Sequence, residues 1–196
     1  GIVIDYDGSK NTGGSTGVQL HDLNVGNFAI DYEISPNGVT FNADIIIMEN
    51  IRCGDARLGI SCGQAQEKGN VIRGLYSWGR IHTIFATNIY GKHQAGNYTI
   101  DGGNIAGMTV RLIYNPESGW FPTTVSNLFC ESLGSIGTIT AGDSKNNMPS
   151  SINNCVFDFA YLSQAGRQTL LTSNSPFIKF NNCLFRYYGN FTDTLH

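Results

Sequence analysis

The chain has 196 residues, a formal net charge of −3, 41% hydrophobic residues and only 14% charged ones. That length accommodates one good-sized domain, and 24 glycines with little Ala- or Leu-rich sequence favour strands and turns over helices. No run of Lys or Arg supplies the field that phosphates require, which argues against a nucleic-acid partner. The apolar run Ile45-Ile46-Ile47-Met48, bounded by Asp44 and Glu49, is too short for membrane insertion.

Residues 1–17 read as a lead-in loop. Gly13-Gly14-Ser15-Thr16-Gly17 lacks the Lys that would reach a phosphate and opens no helix. No charged segment followed by an apolar one opens the chain, so no signal peptide is expected, and the abrupt start at Gly1 suggests a piece of something longer.

From residue 18 to residue 189 one pattern recurs: a short apolar strand, then Asn or Asp, then another apolar residue. Its instances are His21-Asp22-Leu23, Glu49-Asn50-Ile51, Thr87-Asn88-Ile89, Ser126-Asn127-Leu128, Asn153-Asn154-Cys155 and Asn181-Asn182-Cys183, with Arg73-Gly74-Leu75 as a glycine variant. Residues 151–158 align with residues 179–186 at an offset of 28; Asp22 to Asn50 is again 28, Asn50 to Gly74 is 24 and Asn127 to Asn154 is 27. The step of 39 from Asn88 to Asn127 holds one coil plus a long loop on this reading, with residues 105–112 as the intervening unit. A period of 24 to 28 suits one coil of an all-β, right-handed parallel β-helix, a solenoid in which each coil adds a strand to each of three sheets about 4.8 Å from its neighbour.

Asn50, Asn88, Asn127, Asn154 and Asn182 form the expected ladder, because Asn tolerates left-handed dihedrals and bonds both the backbone and the next coil. Cys155 and Cys183 then share an inward position, as do Phe157 and Phe185. Residues 190–196 are a tail. A leucine-rich repeat has a similar period but lacks its leucine ladder here, and a β-sandwich with strands every 8 to 12 residues is the competing fold. Five cysteines cannot all pair within one chain and show no CxxC spacing; buried free thiols and folding in a reducing compartment are expected.

Candidate site residues follow from this frame. Glu49, with Asp44 and Asp55 nearby, is one candidate acid; Glu49 against Asp55 is an inverting pair only at a separation of about 6.5 to 9.5 Å. Tyr76-Ser77-Trp78 is placed in a turn and Trp120 in an exposed loop, where an indole is costly to expose and suits the apolar face of a sugar. Four residues beyond the ladder lie Glu131, Asp158 and Arg186, expected outward on three successive coils. Two carboxylates one coil apart match the roughly 5 to 5.5 Å separation of a retaining glycosidase, with Arg186 orienting substrate; a solvated mixed-charge stripe is the plainer account. Tyr187-Tyr188 are candidate interface residues. His21, His82, His93 and His196 are isolated and give no metal-ligand spacing, so neither metal nor cofactor is expected. The glycosylation patterns at Asn97 and Asn190 are read as unmodified.

Together, Glu49-Asn50-Ile51-Arg52-Cys53-Gly54, Ser126-Asn127-Leu128-Phe129-Cys130, Asn153-Asn154-Cys155-Val156-Phe157 and Asn181-Asn182-Cys183-Leu184-Phe185 resemble the pectate-lyase-like β-helix superfamily, and within it the shaft of a bacteriophage tailspike or receptor-binding fibre. The resemblance implies a homotrimer on the virion tail, folded in the host cytoplasm, that binds and often cleaves bacterial surface polysaccharide. No catalytic signature of the family is matched. A structural shaft without ligand, or a secreted cellular hydrolase or lyase, are the alternatives.

Overall fold

The computed structural model describes residues 1–4, 17–34, 44–62, 69–87, 89, 97–119, 123–141, 150–159, 170–173 and 178–187. Every strand pairing among them is parallel, and the chain winds as a right-handed β-solenoid. The expected fold is the observed one.

Each coil contributes to three sheets in turn. The first sheet is formed by β2 (Gln19–His21), the opening residues of β5 (Ile47–Cys62), β6 (Asn70–Thr87), β7 (Tyr98–Ile105) and β9 (Thr123–Ala141), then β10 (Ser150–Asn153) and β13 (Ile178–Asn181). The second holds β3 (Asn24–Gly26), the middle of β5, β6 and β9, the end of β7, then β11 (Val156–Phe159) and β14 (Leu184–Tyr187). The third holds β1 (Ile2–Ile4), β4 (Ile30–Ile34), the ends of β5, β6 and β9, β8 (Met108–Gly119) and β12 (Leu171–Ser173). The strand registers step by 28, 24, 28, 25, 27 and 28 residues, read from Gln19↔Ile47, Ile47↔Val71, Val71↔Thr99, Thr99↔Thr124, Thr124↔Ser151 and Ser151↔Lys179.

The first corner is a file of left-handed residues: Asp22, Asn50, Gly74, Gly102, Asn127, Asn154 and Asn182. A positive φ is costly for most side chains and least so for Gly, Asn and Asp, which is why those types alone occupy the file. The amides also tie coils together: Asn50 Nδ2 donates to Asp22 Oδ1 at 3.0 Å, and Asn182 Nδ2 to Asn154 Oδ1 at 2.9 Å. The fourth place belongs to Gly102, at the end of the segment that pairs Arg73 with Asp101, and the intervening unit is β7 plus β8 rather than residues 105–112. Asn88, expected in the ladder, lies outside the described residues.

A second corner file, Asn27, Asp55, Gly79, Gly107 and Ser132, is also left-handed. Between β5 and β6 the register shifts there, so that Asp55 faces both Gly79 and Arg80; Asp55 Oδ1 closes the bulge by accepting the Arg80 backbone N–H at 2.9 Å.

Inside, like residues stack coil on coil. Met48, Ile72, Ile100, Val125 and Ile152 form one buried file, and their removal from water is the main driving force for adding each coil. All five cysteines are free; Cys53, Cys62, Cys130 and Cys155 are buried and Cys183 is half-buried. Burial pushes the Cys53 thiol up to about 12 and Cys155 up to about 11, which leaves them as inert packing groups. Phe157 and Phe185 pair in register, their rings tilted with 5.5 Å between centres; Phe157 is buried and Phe185, on the last described coil, is exposed.

Candidate functional site

Between the two corners the second sheet is only four residues wide, so its outer face carries two files of side chains. One runs Asn24, Arg52, Tyr76, Asn104, Phe129, Val156 and Leu184; the other includes Gly26, Gly54 and Trp78, and reaches Glu131, Asp158 and Arg186 farther along. Most of the residues proposed from sequence therefore share one face of the solenoid.

Tyr76 and Trp78 lie within β6, not in a turn; the turn comes one residue later, at Gly79. The Trp78 side chain runs back along the axis over two earlier coils. A Cβ placed on Gly54 would meet Cδ2 and Cε2 of the indole at 2.3 Å, and one on Gly26 would meet Cζ2 at 2.6 Å. The atoms nearest Gly54 are those of the shared ring bond, which an edge-on approach would not reach first, so one face of the indole rests on glycine backbone. Trp78 Nε1 donates to Asn24 Oδ1 at 3.2 Å, fixing the far edge. The other face is open: Trp78 is 36% and Tyr76 39% exposed. The Arg52 guanidinium stands 5.7 Å from the Tyr76 ring centre.

The two acids occupy adjacent coils and are held by different partners. The register between β9 and β11 holds through Cys130↔Phe157 and then shifts, so Asp158 faces both Glu131 and Ser132. Asp158 is buried and bonded to Arg186 on the following coil, Nε to Oδ1 at 2.5 Å and Nη2 to Oδ2 at 2.7 Å. Glu131 accepts from Asn104 Nδ2 on the preceding coil at 3.2 Å. Each carboxylate bonds away from the other. Arg186 also lies 5.6 Å from the Phe129 ring centre.

Glu49 is on the first sheet, between His21 (Nδ1 to Oε2, 3.2 Å) and Arg73 (Nη1 to Oε1, 2.9 Å), its register partners on either side. Asp55 is at the second corner, so residues 51–54 of the second sheet stand between the two acids. Trp120 and Tyr188 lie outside the described residues. Among the described residues no group of three or more His, Cys, Asp or Glu is placed to hold a metal ion.

Sequence reasoning missed Asn24, Arg52 and the two glycines under Trp78. The signal was present: Gly26 and Gly54 are 28 apart, the same step as Asp22 to Asn50. Comparison with protein-family models returned no match, and comparison with curated proteins returned none either.

Proposed function

We propose that the chain is a receptor-binding segment of a bacteriophage tailspike or related fibre, and that it recognises a bacterial surface polysaccharide along the outer face of the second sheet. The observation that carries this reading is the Trp78 indole, held flat on Gly54 and Gly26 and tied to Asn24, with one face open to solvent. A rigid apolar plane beside Tyr76, Arg52 and amide groups suits a sugar ring, which offers C–H groups on one face and hydroxyls at its rim. The β-solenoid favours the reading as well, because a regular face repeats the same spacing along its axis and an extended polymer can follow it. The expected partner state is a side-by-side homotrimer, in keeping with the resemblance of the ladder to tailspike shafts.

This reading is of binding before cleavage. Glu131 is bonded to Asn104 on the preceding coil and Asp158 to Arg186 on the following one, whereas a retaining pair has to share one glycosidic bond. The test incubates the full chain with a panel of capsular and lipopolysaccharide glycans, measuring retention and released oligosaccharides together. Binding that Trp78→Ala abolishes, without fragments, is the expected result. Defined fragments would make it a depolymerase and return Glu131, Asp158 and Glu49 to first rank; neither binding nor fragments would leave a structural shaft.

A further inference from the structure

Beyond the second corner from Trp78, the third sheet gathers arginines that are scattered in the sequence. Register places Arg57 of β5 beside His82 of β6, since Ala56 pairs with Ile81 and Leu58 with Thr83, and places Arg111 of β8 opposite Thr83. Arg80 flanks them on β6. Arg57, Arg80 and His82 are exposed and Arg111 is half-buried. Among the described residues, none of the three guanidinium groups has a carboxylate partner. Asp55, the acid nearest Arg57 along its strand, is held at the corner by the Arg80 backbone N–H.

The centre of this cluster is organised. Arg111 Nε donates to Thr83 Oγ1 at 2.8 Å, and its guanidinium lies 3.7 Å from the Tyr114 ring centre. Thr83 Oγ1 also stands 3.1 Å from His82 Nδ1. While its oxygen accepts from Arg111, the threonine hydroxyl can give its own proton to Nδ1 of the neutral imidazole tautomer that carries N–H at Nε2. Burial first, then Arg111 and Arg57, lower the basicity of His82. On the next coil the file continues with Val110, 44% exposed, beside Met108, 56% exposed. Cationic groups next to open apolar ones fit a charged sugar better than a free inorganic ion, which has no apolar surface.

We infer that the outer face of the third sheet around Arg57, His82 and Arg111 binds the anionic groups of an acidic polysaccharide. The inference rests on the glycan-binding reading but on a different sheet from Trp78, so the two fail separately. Arg57, His82 and Arg111 stand on three successive coils about 4.8 Å apart, which sets the two arginines about 9.6 Å apart with the imidazole between them. An anion seated between Arg57 and Arg111 offsets their field at His82 and favours the imidazolium, so binding tightens as pH falls. Thr83 Oγ1, with two lone pairs, can then accept from both Arg111 and His82.

The test is calorimetric titration of the whole chain with dextran sulfate, polygalacturonate and uncharged dextran, at constant ionic strength and at about pH 5.5 and about pH 7.5. We expect at least one polyanion to bind about tenfold or more tighter than dextran, and about fivefold tighter at the lower pH. Arg57→Gln loses about fivefold with an unchanged melting temperature, and His82→Gln removes the pH step. Preference for dextran sulfate identifies an ester-borne anion, and preference for polygalacturonate a uronic acid. Polyanions that bind no better than dextran overturn the inference. So do Arg57→Gln and His82→Gln variants that bind like the parent; a loss in Trp78→Ala instead would then assign the binding to the second sheet. Polyanion binding that survives Trp78→Ala and fails in Arg57→Gln supports the inference whatever becomes of the Trp78 reading.

Discussion

The indole of Trp78 lies where the side chain of Gly54 would be: a Cβ on Gly54 would stand 2.3 Å from two ring atoms. Gly54→Ala therefore has to lift the ring from the surface. The gap cannot close by moving backbone, because Gly54 is paired in register with Gly26 and Trp78 on either side. We expect Gly54→Ala to weaken the proposed glycan binding as much as Trp78→Ala does, with about 1–3 kcal/mol of lost stability from overpacking. Intrinsic fluorescence checks the displacement independently: the Trp78 emission shifts to the red as its covered face meets water.

Asn154 and Asn182 each hold a left-handed φ, and the Asn182 amide donates to Asn154. Asn154→Ala loses the acceptor and places a residue without local compensation at positive φ. The two effects together cost about 2 kcal/mol. Asn154→Gly restores the backbone freedom but not the bond, so it falls between parent and alanine variant. Urea denaturation of the three proteins orders them, and an alanine variant as stable as the parent would contradict the corner assignment.

Asp31 is fully buried on β4, with Oδ2 accepting the Gly54 N–H at 2.9 Å and Oδ1 unpartnered. Burial raises its pKa to about 6, against the opposing pull of the Gly54 and Phe28 N–H groups and the N-terminus. A folded-state value above the unfolded one means that the folded chain holds the proton longer. The associated stability is fully present below about pH 4, and is lost as pH rises through about 6, on the order of 3 kcal/mol. Asp31→Asn, neutral throughout, should flatten that step and stabilise the protein at neutral pH; thermal melts across this window read it directly.

The bidentate contact between Arg186 and Asp158 joins the last two described coils. Arg186→Met strands a buried carboxylate and should cost about 1–2 kcal/mol, less than for a fully buried pair because Arg186 is half-exposed. Adding Asp158→Asn to it should recover part of the loss, since the stranded charge is gone. A double-mutant cycle measures the coupling, and a cycle with no coupling would show that the pair carries no structural weight.

Much of the architecture was legible because the constraint that makes it is local. A left-handed corner admits few residue types, so Asp22, Asn50, Asn127, Asn154 and Asn182 announce it in one dimension, and their spacing is the coil length. Gly102 was harder to see, since glycine also marks ordinary loops and no amide accompanies it. The Glu131 and Asp158 expectation placed the two residues on adjacent coils, as they are. What it could not contain was the register shift after Cys130↔Phe157, or the partners that draw each acid away.

By itself, then, the sequence determined the coil: its length, its first corner, its parallel stacking and its free buried thiols, all consequences of backbone sterics and short-range periodicity. Only the tertiary structure decided what meets on the outside. Trp78 with Gly26 and Asn24, or Arg57 with His82 and Arg111, are brought together by coils of unequal length and by bulges at the second corner. Side-chain reach across coils depends on those registers, and no local preference encodes them.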